Sequence, residues 1–263
     1  MNILSWNVRG LGDLNHKKDV RFLVSRFKPT VLILQKTKLL SPTIFGVREV
    51  WGLGFVDFLG VDYVGAFVGQ WILWDPTVLQ SFCSAKKDNF LMAGFVGPGI
   101  DFHWGLLNVY GPHALPQKEL FINDISTFIR SFSFPICLGG DFNFIRWLDE
   151  SSYGGPITSS MRMFNRFIES HALLDLPISG ISFTWTNGSA SNLSMSKLDR
   201  FLVFAEWSEF FPLAAELRRI DEMYWKQSSR IKWLKESDLN TKFFHAIANA
   251  RRCQNDVSRL LIN

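Results

Sequence analysis

The segment "LGGDFN", residues 138–143, is the part of the chain best suited to chemistry, because it places a carboxylate beside an amide. Asp141 and Asn143 are two positions apart, so their side chains point to the same side of an extended chain. The carboxylate can accept a proton from water, and the amide can donate a hydrogen bond to a phosphoryl oxygen. The pair predicts phosphoryl chemistry. The alternative interpretation is a turn in which both side chains bond their own backbone.

Three further polar residues stand near the ends of predicted strands. Tyr110 precedes the Gly-Pro turn of "NVYGPH", where its hydroxyl could donate to a phosphate or could be an ordinary rim residue. Asn7 could bond a catalytic carboxylate, or it could cap the turn that follows. Asp199, in "KLDRFLVF", could orient a histidine or pair with the neighbouring Arg200. Each of these residues therefore has both a catalytic and a structural interpretation.

A lysine follows the buried strand predicted within "TVLILQKTKLL", residues 30–40. The run of Val31 to Leu34 is continuously apolar, as in a strand that is buried on both faces. Lys36 follows this run after one residue and stands between Gln35 and Thr37. Three interpretations are open: the lysine binds a phosphate, is a solvated charge, or occupies the position of a residue that once did the chemistry.

Strands alternate with amphipathic helices along the first 213 residues, and these elements must position the polar residues. Residues 3–8 alternate as a strand does, and a helix with apolar positions at helical spacing follows and ends at Pro29. A second helix is predicted after Pro116 and a third after Ser159. Further strands are predicted in "GQWILWDP", "FHWGLLNVYGP", "PICLGGDFN", "SFTWT" and "KLDRFLVF". This order favours an α+β fold with a mixed sheet, or with two sheets covered by helices.

The composition is that of a packed intracellular globule, with 263 residues, 47% of them hydrophobic and 15% aromatic. The length suits one large domain, or a domain of about 200 residues with an appendage. No apolar run approaches the ~18 residues of a membrane helix, and the start lacks the features of a signal peptide. We therefore expect a protein that is neither secreted nor bound to a membrane. The three cysteines lie far apart, which predicts neither disulfides nor a zinc site.

The last fifth of the chain has a different texture. Residues 216–263 hold 10 Lys and Arg against 6 Asp and Glu, so this segment carries all of the net charge of +4. Apolar residues recur there at helical spacing, which predicts a helical, basic segment over 214–263. Arg251 and Arg252 are candidates for contacts with nucleic acid. Because acidic residues are interleaved with the basic ones, a solvated helix face is the alternative.

Five motifs, taken together and in order, resemble the endonuclease/exonuclease/phosphatase superfamily. They are "SWNVRGL", a strand ending in Gln-x-Thr-Lys, "NVYGP", "GGDFN" and "KLDRFLV". More narrowly, the chain is similar to the apurinic-endonuclease-like domain of plant LINE-type (non-LTR) retrotransposons. The segment "RIKWLKESDLNTKFFHAIANARRCQNDVSRLL" is similar to the linker that joins this domain to the reverse transcriptase.

The resemblance implies two packed mixed β-sheets flanked by helices, the four-layer architecture of DNase I, with a site at one rim. It implies hydrolysis of phosphodiesters with Mg²⁺, and DNA as the substrate. Asn7 would support the site by hydrogen bonding and Tyr110 would contact the scissile phosphate. Asp141 would align or deprotonate water, Asn143 would bind the phosphate oxygen, and Asp199 would orient a histidine.

Two departures from the family pattern predict a degenerate domain. The family motif Gln-Glu-Thr-Lys supplies a glutamate that binds the metal, whereas this chain has Lys36 there, and an ammonium cannot be a ligand. The Ser-Asp-His motif that follows "KLDRFLVF" in the family is absent, so Asp199 lacks the expected histidine. The last strand or strands are also expected to be missing, which would leave a sheet edge unpaired.

These observations predict a truncated nuclease-like domain over 1–213 and a helical basic linker over 214–263. The leading hypothesis is a Mg²⁺-dependent DNA endonuclease that has become weak or inactive. One alternative is residual Mg²⁺-dependent cleavage through Asp141 and Asn143. Another is a remnant that binds DNA, or RNA through its basic tail, and does not cleave. The residues proposed for contact with nucleic acid are Arg200, and Arg251 and Arg252 in the tail. Nuclear residence is expected only from the family's substrate.

Overall fold

The computed structural model describes residues 1–39, 42–61, 69–97, 101–179, 183–187, 192–211, 216–218 and 257–261. The strands in chain order are β1 Asn2–Asn7, β2 Val31–Gln35, β3 Asp57–Val61, β4 Gln70–Trp74, β5 Gln80–Lys87, β6 Phe90–Val96, β7 Trp104–Tyr110, β8 Ile136–Asp141, β9 Leu174–Asp175, β10 Ile178–Ser179, β11 Trp185–Thr186, β12 Met195–Ser196, β13 Asp199–Val203, β14 Glu216–Arg218 and β15 Val257–Leu261. The helices are α1 Leu14–Phe27, α2 Ile44–Trp51, α3 Leu115–Arg130, α4 Ser159–Ser170 and α5 Ala205–Phe210, with a 3₁₀ turn at Leu148–Glu150.

These strands form two mixed sheets and a small hairpin. The first sheet has the order β10-β14-β15-β1-β2-β4-β3, in which β1 and β2 are parallel. The second has the order β5-β6-β7-β8-β13-β9, in which β7 and β8 are parallel. Strands β11 and β12 pair with each other. The predicted architecture of two mixed sheets flanked by helices is confirmed.

The alternation of side chains along β2 shows how the layers are held together. Val31 and Ile33 point into the core between the two sheets, where they meet Leu106 and Phe201 of the second sheet. Leu32 and Leu34 point to the opposite face, which α1 and α2 cover. On the far side, α3 and α4 cover the second sheet. A strand buried on both faces is apolar at every position, which explains the run "VLIL".

The helix boundaries follow local sequence signals. Asp13 caps α1 through a hydrogen bond from the backbone N–H of Asn15, and Pro116 lies in the first turn of α3 as predicted. The cap of α4 is Thr158, rather than the serines that follow it. Among the helices of the described residues, none is long and apolar enough to cross a bilayer.

The segment 214–263 differs from its prediction where the structure describes it. Glu216–Arg218 and Val257–Leu261 are strands, so the expectation of a wholly helical segment is wrong for these two stretches. Strand β15 pairs antiparallel with β1 in the first sheet. The open N–H and C=O groups of β1 explain this outcome, since an unpaired edge favours another strand. The rest of the predicted linker lies outside the described residues.

A cluster of charges is buried beside the second sheet. The guanidinium of Arg200, which is 1% exposed, donates to Asp175 at 2.7 Å and to both carboxylate oxygens of Glu150. Arg146 also donates to Asp175, at 3.0 Å, and Lys197 lies 3.6 Å from Glu150. This geometry does not fit the predicted contact of Arg200 with nucleic acid, because its side chain is buried and both terminal nitrogens of its guanidinium donate to interior carboxylates.

Removing one partner of this cluster should be costly, because it leaves the buried guanidinium of Arg200 with only one of its two carboxylate partners. We expect Glu150→Ala to lower the free energy of unfolding by about 3–5 kcal/mol. The matched control is Asp124→Ala, which removes the partner of Lys87 in a largely exposed ion pair and should cost less than about 1 kcal/mol. Urea denaturation of the two variants and the parent measures both values. Equal losses in the two variants would contradict the structural role of the cluster.

Candidate functional site

Residues at the ends of five strands, two in the first sheet and three in the second, meet at one rim of the two-sheet core. Asn7 ends β1 and lies beside the end of β2, after which Lys36 follows. In the second sheet, Asp141 pairs with Tyr110 on one side and with Asp199 on the other. The parallel directions of β1 with β2 and of β7 with β8 bring these strand ends to the same edge. The structure therefore brings together the polar residues that the sequence singled out.

The Asp141 carboxylate is the buried centre of this rim, with 3% of the residue exposed. The side-chain amide of Asn7 donates to its Oδ2 at 2.8 Å, and the backbone N–H of Asn143 donates to its Oδ1 at 3.0 Å. Burial raises the pKa of Asp141, while the charge of Lys36 and the two hydrogen bonds oppose the rise. The result is a carboxylate that is held in place and more basic than usual, which suits it to accept a proton from water.

Asn143 is held by the turn that follows β7. Its backbone has a φ of +56°, a conformation that asparagine adopts more readily than most residues. Its side-chain amide donates to the carbonyl oxygen of Gly111 at 2.5 Å. A Cβ at Gly111 would lie 1.9 Å from the carbonyl oxygen of Phe142, so only glycine permits this approach. In this state the amide predicted to hold a phosphate oxygen is therefore engaged by the protein itself.

Tyr110 carries a neutral hydroxyl at this rim. Its oxygen lies 2.9 Å from Nε2 of His113. Burial, followed by the charge of Asp141, raises the pKa of Tyr110, so the phenol keeps its proton at neutral pH. Burial and the charge of Lys36 lower the pKa of His113. His113 was not predicted as a site residue, although its position three residues after Tyr110 in a tight turn is a usable signal.

Lys36 stands inside the site rather than in bulk water. It adopts a φ of +54°, which is uncommon for lysine, and its ammonium lies 4.7 Å from the centre of the Tyr110 ring. Burial lowers the pKa of Lys36, and the nearby Asp141 carboxylate opposes that change. Among the described residues, no hydrogen bond or ion pair involves its ammonium. Lys36 is therefore a half-buried cation at the rim, and the three interpretations of its role stay predictions.

A second lysine at the rim was not predicted. Lys118, in the first turn of α3, donates to the backbone oxygen of Asn143 at 2.6 Å and lies over the Phe144 ring at 4.5 Å. Burial lowers the pKa of Lys118, against the attraction of Asp141. Nothing in its local sequence distinguishes it from an ordinary surface lysine, since only the packing of α3 on the second sheet brings it here.

Asp199 lies on the other side of Asp141. It is 7% exposed, and its backbone N–H donates to Oγ1 of Thr184 at 3.0 Å. Its predicted role of orienting a histidine stays a prediction. Arg251 and Arg252, the other predicted contacts with nucleic acid, lie outside the described residues.

The side chains at the rim do not fit a divalent metal ion. Within the described ranges, no three His, Cys, Asp or Glu side chains are grouped so that they could share a metal. Two buried amide oxygens, Oδ1 of Asn7 and Oε1 of Gln35, lack hydrogen-bond partners there, but both are neutral. Mg²⁺ prefers carboxylate oxygens, and the ammonium of Lys36 brings a repelling charge instead. The donor set therefore disagrees with the cofactor that the sequence resemblance implies.

The charge of Lys36 should be measurable at Asp141. We expect Lys36→Met to raise the pKa of Asp141 further, because it removes the positive charge that favours the ionised carboxylate. A carbon-13 NMR titration of the Asp141 carboxyl group measures this change. Lys28→Met is the matched control, because Lys28 also has a positive φ but lies exposed before the start of β2. An unchanged or lower pKa in Lys36→Met would contradict the arrangement.

Comparison with known proteins gives matches of structure only. No protein family description and no curated protein sequence matches the chain. The endonuclease domain of TRAS1, a telomere-specific non-LTR retrotransposon, superposes with a TM-score of 0.67 at 12% identity, covering 100% of this chain and 98% of that domain. The AP endonuclease LMAP from Leishmania major gives a TM-score of 0.68 at 14% identity, covering 100% and 87%. The 3′ phosphatase NExo from Neisseria, bound to a product DNA hairpin, gives 0.67 at 16% identity, covering 100% and 99%. The chain therefore has the fold of the endonuclease/exonuclease/phosphatase proteins.

Proposed function

We propose that the chain is a degenerate phosphodiesterase domain of retrotransposon origin, with DNA as its ligand and with weak or absent Mg²⁺-dependent nicking. The observation that carries the proposal is the position of Lys36, whose ammonium faces Asp141 and Tyr110 where the family motif supplies a metal-binding glutamate. The fold shared with a retrotransposon endonuclease supports the origin. The DNA hairpin bound to the similar 3′ phosphatase supports DNA as the ligand.

The parts of a hydrolytic site that remain are those that do not need a metal. Asp141 is fixed by Asn7 and by the N–H of Asn143, and its raised pKa suits proton transfer from water. The hydroxyl of Tyr110 stays protonated and can donate to a phosphate oxygen. When bound, Mg²⁺ would neutralise phosphate charge and lower the pKa of a bound water, and these are the contributions that the rim lacks.

Electrostatics explains why a lysine in place of the metal-binding glutamate should weaken Mg²⁺ binding strongly. Exchanging glutamate for lysine changes the local charge by two units, and each pair of unit charges about 4 Å apart is worth roughly 4 kcal/mol at an effective dielectric constant of 20. Mg²⁺ therefore loses an attractive ligand and meets a repulsive ammonium at the same position.

The absence of the Ser-Asp-His motif is a second, independent deficit. In the family this histidine pairs with the aspartate that corresponds to Asp199. His113 does not take that place, since it lies in the turn after β7 and contacts Tyr110. We extend the proposal to the chain's organisation, with 1–213 as the nuclease-like domain and 214–263 as remnants of a linker to a reverse transcriptase.

Nicking of supercoiled plasmid tests the proposal directly. We expect the parent chain to be silent with and without Mg²⁺, and Lys36→Glu to gain Mg²⁺-dependent nicking because it restores a carboxylate ligand. Asp141→Ala in the Lys36→Glu background should abolish that gain, which excludes a contaminating nuclease. Silence of both the parent and Lys36→Glu would assign the loss to the missing histidine motif.

A folded parent that nicks with Mg²⁺ as efficiently as Lys36→Glu, and that loses this activity on Asp141→Ala, would sink the proposal. Such a result would mean that other groups bind the metal. Circular dichroism of each variant checks that every silent protein is folded.

A further inference from the structure

The ammonium of Lys36 is a cation without an acceptor among the residues that the structure describes. It is half-buried, and it lies 4.7 Å from the centre of the Tyr110 ring. An ammonium has three N–H donors and no acceptor. The rim therefore offers a strong hydrogen-bond donor to any ligand that brings acceptor atoms.

The charges around Lys36 favour an anion as that ligand. Two carboxylates, Asp141 and Asp199, attract it, while nearby cations repel it. The cations around the rim are Arg9, Lys38 and Lys118. With Lys36 this makes four cations against two carboxylates, so a positively charged ligand meets net repulsion and a negatively charged one net attraction.

The neutral donors at the rim favour an oxyanion with several acceptor atoms. The Tyr110 hydroxyl keeps its proton, its ring lies 4.7 Å from the Lys36 ammonium, and its oxygen is 2.9 Å from Nε2 of His113. The hydroxyl is free to donate to a ligand when Nε2 of His113 carries a hydrogen. A phosphate group has acceptor oxygens in several directions, so it can receive hydrogen bonds from an ammonium and a hydroxyl at once. Lysine binds phosphate as a point charge and does not need the planar geometry of arginine.

These observations lead to an inference that rests on the proposed function and makes it more specific. We propose that Lys36 takes the place of the metal ion as a built-in cation, so that the rim binds a phosphate group of DNA without any divalent metal. The Tyr110 hydroxyl is the second donor to that phosphate. The site is then a metal-independent phosphate-binding site rather than an empty metal centre.

A lysine in place of the metal ion separates binding of the phosphate from its cleavage. An ammonium supplies one positive charge where Mg²⁺ supplies two, and it cannot coordinate a water and lower its pKa. The phosphate is therefore held without the activated water that hydrolysis needs. This explains how the rim can keep its polar residues in place while nicking is weak or absent.

The test measures binding of a short fluorescein-labelled DNA duplex by fluorescence anisotropy in excess EDTA. We expect the parent to bind, and added Mg²⁺ to bring no tighter binding. Lys36→Met should weaken binding by about tenfold, and Lys36→Arg should retain it within a few-fold because the charge remains. Lys28→Met removes the same charge from an exposed lysine before β2 and should change binding less than twofold. Thermal melting confirms that each variant is folded.

The salt dependence of DNA affinity is a second measurement, and it would not change if Lys36 had only a structural role. Each phosphate contact adds about 0.9 to the slope of log affinity against log salt concentration. We expect Lys36→Met to lower that slope by about one contact and Lys28→Met to leave it unchanged. Inorganic phosphate should compete with the duplex for the parent and have little effect on Lys36→Met.

Equal affinity of the parent and Lys36→Met in EDTA would overturn the inference, as would binding by the parent that appears only with Mg²⁺. The binding assay and the nicking assay test the inference and the proposed function separately. Binding in EDTA through Lys36 together with Mg²⁺-dependent nicking leaves the inference standing and removes the proposed loss of activity. No binding in EDTA together with no nicking removes the inference and leaves the proposed function.

Discussion

The parallel pairing of β7 with β8 is the constraint on which the site depends. It sets Tyr110 opposite Asp141, and it lets the N–H of Gly111 donate to the backbone oxygen of Asp141 at 2.7 Å. The chain then turns at both strand ends within a space that admits no side chain at Gly111. Asn143 can reach the carbonyl of Gly111 only because of this approach. A shift of one residue between these two strands would turn the side chains of β8 to the opposite faces and dismantle the rim.

Burial of the Asp141 carboxylate is the second constraint on the site. A carboxylate removed from water is stable only when hydrogen bonds or a nearby positive charge compensate it. Asn7 and the N–H of Asn143 supply hydrogen bonds, and Lys36 supplies charge from a distance. These groups offset the cost of burial only in part, since the pKa of Asp141 is still raised. The carboxylate therefore depends on the hydrogen bonds from Asn7 and Asn143 to hold its place.

Much of the fold and part of the site follow from the sequence. The apolar run at Val31 to Leu34 and the spacing of the helices predict two covered sheets, because periodicity reports which faces are buried. The resemblance of the strand-end motifs to a known family implies that Asn7, Tyr110 and Asp141 share one site, and the structure brings them together. The strands and helices themselves are features that a few neighbouring residues determine.

The remainder depends on contacts between distant segments. Lys118 reaches the rim only through the packing of α3, and Arg200 is buried because Glu150 and Asp175, at 50 and 25 residues' separation, converge on it. The strand at Val257–Leu261 forms because β1 offers an open edge, which helical spacing in the sequence does not report. The local spacing of apolar and polar residues does not indicate which distant segments will make contact.

The position of Lys36 shows why a site can change its chemistry while the fold stays the same. The residue follows the end of β2, outside the core, so its replacement does not disturb the buried residues Val31, Ile33 and Leu34 that hold the sheets together. The hydrogen bonds of Asp141 are likewise independent of it. A substitution there alters the charge that faces the ligand and little else. A change of charge at residue 36 is therefore compatible with the same fold, as the proposed exchange of a metal-binding carboxylate for an ammonium requires.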